Sequence, residues 1–219
     1  MDVDDSLDLP TLTTVLVGVC DSMVTSIDDF THADQALGDG DHGLAISRGF
    51  HAAREAITSQ PRTDAGDLLG AMGLAMLNSM GGASGAIYGT FFRQGGRAVI
   101  GQQRFDSGAL ATFLEEGLVG VRARGKAKVG DKTIVDAMEP AALAARASTT
   151  LTLPAALVAV ADAASAGLES TRNMRATLGR ARTLGDRSIG HVDPGALSFT
   201  FMLTELSRLV EEAARPSTT

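Results

Sequence analysis

Apolar residues recur along the chain at the spacing of α-helices and not of β-strands. Between residues 12 and 30 they return every three or four positions, at Leu12, Val15, Leu16, Val19, Cys20, Met23, Ile27 and Phe30. This spacing gathers the apolar side chains on one face of an amphipathic helix. The pattern predicts a single first helix, with Pro10 in its first turn, where proline is well tolerated.

The same periodicity predicts seven more helices. They fall at about residues 44–57, 67–80, 84–100, 107–121, 133–148, 154–173 and 194–212, and Asp106 or Ser107 can cap the fourth of these. Alternating strand patterns and Asn-Gly hairpin signals are missing. The chain is therefore predicted to be all-α, with one domain of about eight helices over residues 9–214 and flexible ends at residues 1–8 and 215–219.

Length and composition support a soluble globular domain. The chain has 219 residues, of which 44% are hydrophobic and 21% are charged, which is ordinary for one domain with a sizeable core. Nineteen basic and 26 acidic residues give a net charge of −7, which argues against a nucleic-acid partner. Cys20 is the only cysteine, so no internal disulfide can form. Because neither a signal-peptide pattern nor a long uncharged apolar run is present, we expect a cytoplasmic protein without a membrane partner.

Glycine is over-represented, at 25 of 219 residues, a larger share than the typical fraction of about 7%. In the first glycine-rich loop three carboxylates, Asp34, Asp39 and Asp41, fall within eight residues. Crowding of this kind is costly unless a cation binds, and oxygen-only ligands favour magnesium. An exposed acidic turn is the alternative, because Asp and Gly are also common turn residues.

Two nucleotide-binding motifs are matched only superficially. Gly38, Gly40 and Gly43 satisfy G-x-G-x-x-G, but a helical segment precedes them where the dinucleotide fingerprint needs a strand. Residues 120–127 nearly form a P-loop, yet they end in Ala127 and also follow a helix. Neither motif is accepted as a phosphate site.

Three other loops carry candidate chemistry. Residues 81–85 lie at the start of a predicted helix, where free N–H groups can bind an anion, and a tight turn is the alternative. Residues 179–195 form a long polar loop of the kind that carries function, and His191 in it can act as an acid–base group or only hydrogen-bond. A third, cationic stretch can face phosphate or be solvated, and it holds Arg122, Arg124, Lys126, Lys128 and Lys132.

Four sequence motifs occur in order along the chain. They are G-D-G-D-H-G at 38–43, G-G-A-S-G at 81–85, R-G-K-A-x-x-G-D-K-T at 124–133 and G-D-R-S-I-G-H-x-D-P-G at 185–195. Together they resemble the nucleotide-binding L subunit of dihydroxyacetone kinases over nearly the whole chain. The resemblance implies a barrel of eight antiparallel helices, with ADP or ATP and two magnesium ions at one end.

The resemblance also implies roles for individual residues. It makes Asp34, Asp39 and Asp41 the magnesium ligands. It places around the nucleotide His42, Gly43, Leu44, Ala45, Ala83, Ser84, Arg124, Gly125, Thr133, Arg180, Asp193, Pro194 and Gly195. No catalytic residue is assigned, because phosphoryl transfer requires mainly positioning and neutralisation of charge.

By the same resemblance the chain is a kinase subunit that acts with partner proteins. In the family a separate K subunit holds the ketose covalently on a histidine, and the L subunit supplies the phosphoryl group. A free-standing L subunit keeps ADP bound and is recharged by a phosphotransferase-system protein, which is the mode expected here because no K domain is present. The alternatives are an ATP-exchanging subunit for another ketose such as erythrulose, a nucleotide-sensing regulator that binds a transcription factor, and a fatty-acid kinase domain.

Overall fold

The computed structural model describes residues 5–215, and it is mainly helical. This range contains nine α-helices: α1 (Leu9–Thr25), α2 (Ile27–Gln35), α3 (His42–Thr58), α4 (Ala65–Ser79), α5 (Gly82–Ala98), α6 (Ser107–Gly125), α7 (Val135–Ala147), α8 (Leu153–Ser170) and α9 (Pro194–Ala214). Two 3-10 helices (Thr171–Asn173 and Arg180–Ser188) and two antiparallel strands, β1 (Ser6–Asp8) and β2 (Arg104–Asp106), complete it. The all-α prediction is confirmed, and residues 1–4 and 216–219 of the predicted flexible ends lie outside the described residues.

Eight of the described helices form a closed ring. Each helix from α3 to α8 contacts the next one in sequence, α9 returns to contact α1, and α1 contacts α3. Short connections, such as residues 80–81 between α4 and α5, reverse the chain direction between neighbours. The remaining helix, α2, packs against α3 and α9. The ring is the helical barrel that the resemblance implies.

Aromatic rings fill part of the barrel core. Phe91 of α5 makes edge-on contacts with Phe92, with Phe113 of α6 and with Phe199 of α9, at centroid distances of 5.4, 5.0 and 5.4 Å. All four rings are buried. Edge-on aromatic pairs contribute stability beyond the area that they bury, so these contacts help to hold three helices of the ring together.

Glycines allow α4 and α5 to approach each other closely. A Cβ atom added at Gly73 would lie 2.6 Å from the backbone N of Arg93 and 2.9 Å from the carbonyl oxygen of Gly89. A Cβ atom added at Gly66 would lie 2.6 Å from the carbonyl oxygen of Gly96. Backbone atoms cannot move away without separating the helices, so part of the glycine excess serves helix packing and not ligand binding.

The predicted first helix is interrupted. The helix α1 ends at Thr25 and α2 begins at Ile27, and the two helices are bent by 50° relative to each other. The bend brings Phe30 of α2 into contact with the rings of His42 and Phe201. The prediction of a single helix is therefore wrong, because the apolar periodicity continues across a break that tertiary packing stabilises.

The prediction of a flexible N-terminus is wrong for residues 6–8. These residues form β1, in which Leu7 is buried and pairs with Phe105 of β2. Each strand ends in a helix cap, because the carboxylates of Asp8 and Asp106 accept hydrogen bonds from the first turns of α1 and α6. Three-residue strands are too short to produce an alternating pattern, which explains why the sequence predicts none.

One helix in the described range is apolar and long enough to span a membrane by itself. It is α8 with the 3-10 turn that follows, Leu153–Asn173, with a mean hydropathy of 1.2. The helices α1 and α2 pass the same test only when they are counted as one bent span. In the barrel α8 packs between α7 and α9 and buries one face. Its apolar composition is therefore explained by its place in the core.

Candidate functional site

A cavity of about 270 Å³ lies at one end of the barrel, where three helices begin. It is lined by residues from the first turns of α3, α5 and α9, among them His42, Ser84 and Pro194. Free backbone N–H groups and the helix dipole make each helix N-terminus favourable for an anion. Thr133 before α7 and the segment around Arg180 complete the walls. The cavity is thus suited to an anionic ligand.

Three carboxylates gather at this cavity. Oxygen atoms of Asp34, Asp39 and Asp41 lie within 4.8 Å of one another. Asp34 is close to the end of α2 and the other two precede α3, so the turn between the helices brings them together. The turn needs glycine, because a Cβ atom at Gly38 would lie 2.4 Å from Asp34 Oδ1 and Gly40 has a φ of +79°. Local backbone geometry therefore builds the acidic cluster.

The acidic cluster of Asp34, Asp39 and Asp41 contacts a basic side chain, that of Arg180. The guanidinium forms ion pairs with Asp39 and with Asp41, and its Nη1 lies 3.4 Å from Asp41 Oδ2. The side chains are exposed, so a small ion can reach the carboxylates. Oxygen-only donors at this spacing suit a hard divalent cation such as magnesium, which retains water or phosphate oxygens as further ligands. The residues therefore fit a magnesium site, and Asp34, Asp39 and Asp41 would hold it.

His42 connects three helices beside the cavity. Its Nδ1 lies 3.2 Å from Ser84 Oγ near the start of α5, and its Nε2 lies 2.9 Å from Ser198 Oγ in α9. The Tyr88 hydroxyl is 2.8 Å from the same serine oxygen. Burial lowers the pKa of the His42 imidazole, against the opposing effect of nearby carboxylates. The ring is therefore a neutral hydrogen-bonding bridge at pH 7.

Asp193 starts α9 inside the cavity. Its carboxylate caps the helix by accepting a hydrogen bond from the backbone N–H of Ala196, at 2.8 Å. Burial raises the pKa of Asp193 to about 7, and Asp136 adds to the rise, whereas Lys132 lowers it. At neutral pH this carboxyl is therefore partly protonated.

Most of the residues that the resemblance implies do line the cavity. They are Asp34, Asp41, His42, Ala45, Ala83, Ser84, Thr133, Arg180, Asp193, Pro194 and Gly195. Asp39 joins this group through its ion pair with Arg180. The structure therefore brings these residues together from four loops, and their contacts with a ligand stay predictions.

Gly43 and Leu44 do not line the cavity. Gly43 faces α2, where an added Cβ atom would lie 2.2 Å from the carbonyl oxygen of Ile27 and from Thr31 Oγ1. This glycine therefore allows α3 to pack against α2, which positions the acidic turn between them. The Leu44 side chain is half-exposed at the start of α3.

The cationic stretch does not form one phosphate-facing patch. Arg124 and Gly125 are the last residues of α6, outside the cavity lining. Arg122 forms an ion pair with Glu139 of α7. Of the five cations in the stretch, only Lys132 lines the cavity, and its side chain is almost fully buried. The stretch therefore divides into a solvated part and one buried lysine.

Sequence reasoning missed the hydroxyl groups beneath the cavity. Ser198 carries no local signal, since its partner His42 is 156 residues away. Tyr88 is recognisable only as part of an aromatic cluster. His191 was a candidate acid–base group, but its side chain is exposed, and its backbone carbonyl accepts a hydrogen bond from Lys132.

A family model described as the DAK2 domain matches residues 36–208 of the chain. The chain belongs to this family. It is 39% identical over 194 residues to the ADP-binding subunit DhaL of the PEP-dependent dihydroxyacetone kinase of Escherichia coli, covering 88% of this chain and 92% of the relative. It is also 39% identical to the corresponding subunit of kinase 1 from Listeria innocua, over 75% of this chain and 78% of that one. It is thus a DhaL-type subunit of a kinase family.

Larger relatives contain the same domain. The L-erythrulose kinase of Pectobacterium atrosepticum is 34% identical over 87% of this chain, which covers 33% of that enzyme. The crystal structure of the dihydroxyacetone kinase from C. freundii in complex with AMP-PNP and Mg²⁺ superimposes with a TM-score of 0.72 and 25% identity, over 93% of this chain. This chain spans about a third of the length of that kinase, 34%.

Proposed function

We propose that this chain is the nucleotide-binding phosphotransfer subunit of a dihydroxyacetone-type kinase. ADP or ATP occupies the cavity, and two magnesium ions bind to Asp34, Asp39 and Asp41. The observation that carries the proposal is the carboxylate cluster beside a cavity whose walls are helix N-termini. The net charge of −7 would otherwise repel a polyphosphate. Related chains named as ADP-binding subunits support the nucleotide assignment.

The residues of this chain bind and orient the nucleotide. Magnesium, when bound, neutralises phosphate charge and aligns the reacting oxygens. The N-terminal amides of α5, next to Ala83 and Ser84, point their dipole at the phosphate region. Thr133 and the Asp193–Gly195 segment form the wall available to the nucleoside. No side chain of this subunit needs to become covalently modified for the transfer.

The phosphoryl acceptor is a ketose that a separate K subunit holds covalently. The names of the relatives support this division, since they describe DhaL chains as subunits of PEP-dependent or PTS-dependent kinases. A phosphotransferase-system protein would then rephosphorylate ADP that stays bound. The exposed position of the acidic cluster and Arg180 is consistent with access by both partners.

A second candidate function is that of an ATP-exchanging kinase subunit for another ketose. The specific observation is that erythrulose kinases contain a region 33–34% identical to this chain. A nucleotide-sensing regulator that binds a transcription factor is a third candidate, because nucleotide binding alone does not require turnover. The three functions differ in what recharges the nucleotide and in whether sugar phosphate is formed.

The first test is retention of the nucleotide. Native mass spectrometry of the purified protein should detect one ADP per chain with magnesium. Asp39→Ala should abolish this retention, whereas Asp162→Asn, which changes an exposed acid of α8, should preserve it. If the Asp39→Ala variant retained ADP and magnesium as tightly as the parent, the metal assignment would be wrong.

The second test is reconstitution with a K subunit and dihydroxyacetone. Sugar phosphate should form when a phosphotransferase-system donor and phosphoenolpyruvate are supplied. Formation with ATP alone, and equally well, would favour the exchanging subunit. Formation under neither condition, by a protein that does bind ADP, would favour the regulator.

A further inference from the structure

Lys132 is a buried lysine in the wall of the cavity. Its side chain is only 1% exposed, although lysine is rarely buried to this extent without partners. Its φ of +59° lies in the left-handed region, which is unfavourable for a residue with a side chain. A buried charge and an unusual backbone conformation both cost stability, so the surrounding contacts must offset them.

The Lys132 ammonium donates hydrogen bonds to two distant backbone segments. One acceptor is the carbonyl oxygen of Thr171, which follows α8 and lies 2.6 Å from Nζ. The other is the carbonyl oxygen of His191, which precedes α9. Within residues 5–215 the ammonium forms no ion pair with a carboxylate. Because hydrogen bonds from a charged donor are stronger than neutral ones, these two contacts form a firm connection.

A second hydrogen bond reinforces the connection at α9. Thr171 Oγ1 accepts a hydrogen bond from the backbone N–H of Asp193, at 2.9 Å. Asp193 in turn caps α9 at the cavity. Thr171 therefore receives hydrogen bonds from both sides of the junction, from Lys132 through its carbonyl and from Asp193 through its hydroxyl.

The turn that carries Lys132 is itself fixed. The Asp136 carboxylate accepts hydrogen bonds from the backbone N–H groups of Gly130 and Thr133, at 2.6 and 2.7 Å. Asp136 is buried at the start of α7. The turn therefore provides a rigid base from which the lysine side chain reaches the two segments near α9.

We propose that Lys132 is a positioning residue, which holds the Asp193–Gly195 wall of the cavity at a fixed distance from Thr133. Removing the ammonium frees residues 191–195 from the turn and widens the range of conformations of that wall, while the remaining helices stay packed. The effect on nucleotide affinity rests on the proposed function. The effect on the mobility of residues 191–195 does not, since it concerns the nucleotide-free protein.

The first experiment compares hydrogen exchange of Lys132→Met with the parent, both without nucleotide. Methionine has a similar length but lacks donors and charge. Amides of residues 189–197 and 171–174 should exchange faster, while those of α4, α5 and α6 keep their protection. Lys128→Met, which changes an exposed lysine of the same stretch, is the matched control and should exchange like the parent. Unchanged exchange near residue 191, or uniformly faster exchange in all helices, would overturn the positioning role.

The second measurement is calorimetric titration with ADP and magnesium. Lys132→Met should raise the ADP dissociation constant about tenfold, the equivalent of one charged hydrogen bond, with one site per chain retained. A lower number of sites with an unchanged dissociation constant would mean partial unfolding, and it would contradict the proposal. If the parent itself does not bind ADP, the proposed function fails while the hydrogen-exchange result still decides the role of Lys132.

A labelling experiment on the parent protein applies even if Lys132→Met does not fold. The chain contains only three lysines, Lys126, Lys128 and Lys132. With an acetylating reagent in the native state, Lys126 and Lys128 should react quickly, whereas Lys132 should react only after denaturation. Equal reaction at all three lysines would show that the Lys132 ammonium is not held in the wall, and the proposal would be wrong.

Discussion

Arg180 and Asp41 are 139 residues apart in the sequence, yet Arg180 Nη1 lies 3.4 Å from Asp41 Oδ2. The same guanidinium also pairs with Asp39. The start of the 3-10 helix Arg180–Ser188 is thereby held beside the acidic cluster at the cavity. Because the guanidinium and a metal ion are attracted by the same oxygens, we expect Arg180 to compete with a metal in the absence of nucleotide.

This competition predicts opposite effects of Arg180→Met on two ligands. Affinity for Mn²⁺ alone, used as a spectroscopic substitute for magnesium, should rise a few-fold because a competing positive charge is removed. Affinity for ADP at saturating magnesium should fall, because a cation that can contact phosphate is lost. Electron paramagnetic resonance measures free Mn²⁺, and calorimetry measures ADP binding.

Arg182→Met is the control for this pair of measurements. Arg182 is also exposed and lies two residues further along the same 3-10 helix. We expect both affinities to be unchanged in this variant. A fall in both affinities for Arg180→Met would contradict the competition and would indicate that Arg180 instead stabilises the fold of the acidic turn.

Local sequence patterns account for the helices and for the acidic cluster. The periodicity predicts eight helices to within a few residues at most ends, and Asp34, Asp39 and Asp41 are close in sequence, so one turn brings them together. The break at Ser26 is not predicted, because Ile27 and Phe30 continue the apolar spacing across it. Only packing at the end of the barrel favours the bend.

Long-range pairings could not be predicted from local patterns. The hydrogen bond between His42 and Ser198 joins residues 156 positions apart, and nothing in the sequence near Ser198 indicates its partner. The burial of Lys132 could not be predicted locally either, since the nearby lysines Lys126 and Lys128 are solvated. Charge patterning treats all three lysines alike, whereas the two carbonyl acceptors of Lys132 come from distant segments.

The buried hydroxyl of Ser198 predicts a graded effect on stability. Ser198→Ala leaves two buried polar groups, His42 Nε2 and the Tyr88 hydroxyl, without their partner, and it should lower the free energy of unfolding by about 2–3 kcal/mol. Tyr88→Phe removes only one hydroxyl, and Ser198 keeps its contact with His42, so the loss should be about 1 kcal/mol. Urea denaturation measures both values. Equal losses in the two variants would mean that the network does not include His42.

The raised pKa of Asp193 predicts a pH dependence of stability. The carboxyl has a pKa of about 7 in the folded protein, and the unperturbed value is 3.8. Between these pH values the folded state binds more protons than the unfolded state. The stabilisation that Asp193 contributes to the folded state is therefore complete below pH 3.8 and is lost as the pH rises through about 7.

Asp193→Asn tests this dependence, because asparagine also caps a helix but does not titrate in this range. The free energy of unfolding of the parent minus that of the variant should fall between pH 3.8 and about 7, by at most about 4 kcal/mol. Urea denaturation at several pH values gives the difference. A difference that stays constant with pH for Asp193→Asn would contradict the assigned pKa.

Two glycines of α4 predict opposite effects of the same substitution. A Cβ atom at Gly73 would lie 2.6 Å from the backbone N of Arg93, whereas one at Gly70 would meet nothing within 4 Å. Gly73→Ala should therefore destabilise the protein by about 1–3 kcal/mol, since α5 must move away from α4. Gly70→Ala should stabilise it by up to about 1 kcal/mol, because alanine favours a helix interior. Chemical denaturation measures the change in the free energy of unfolding for both variants. Changes of the same sign in the two variants would contradict the close approach of α4 and α5.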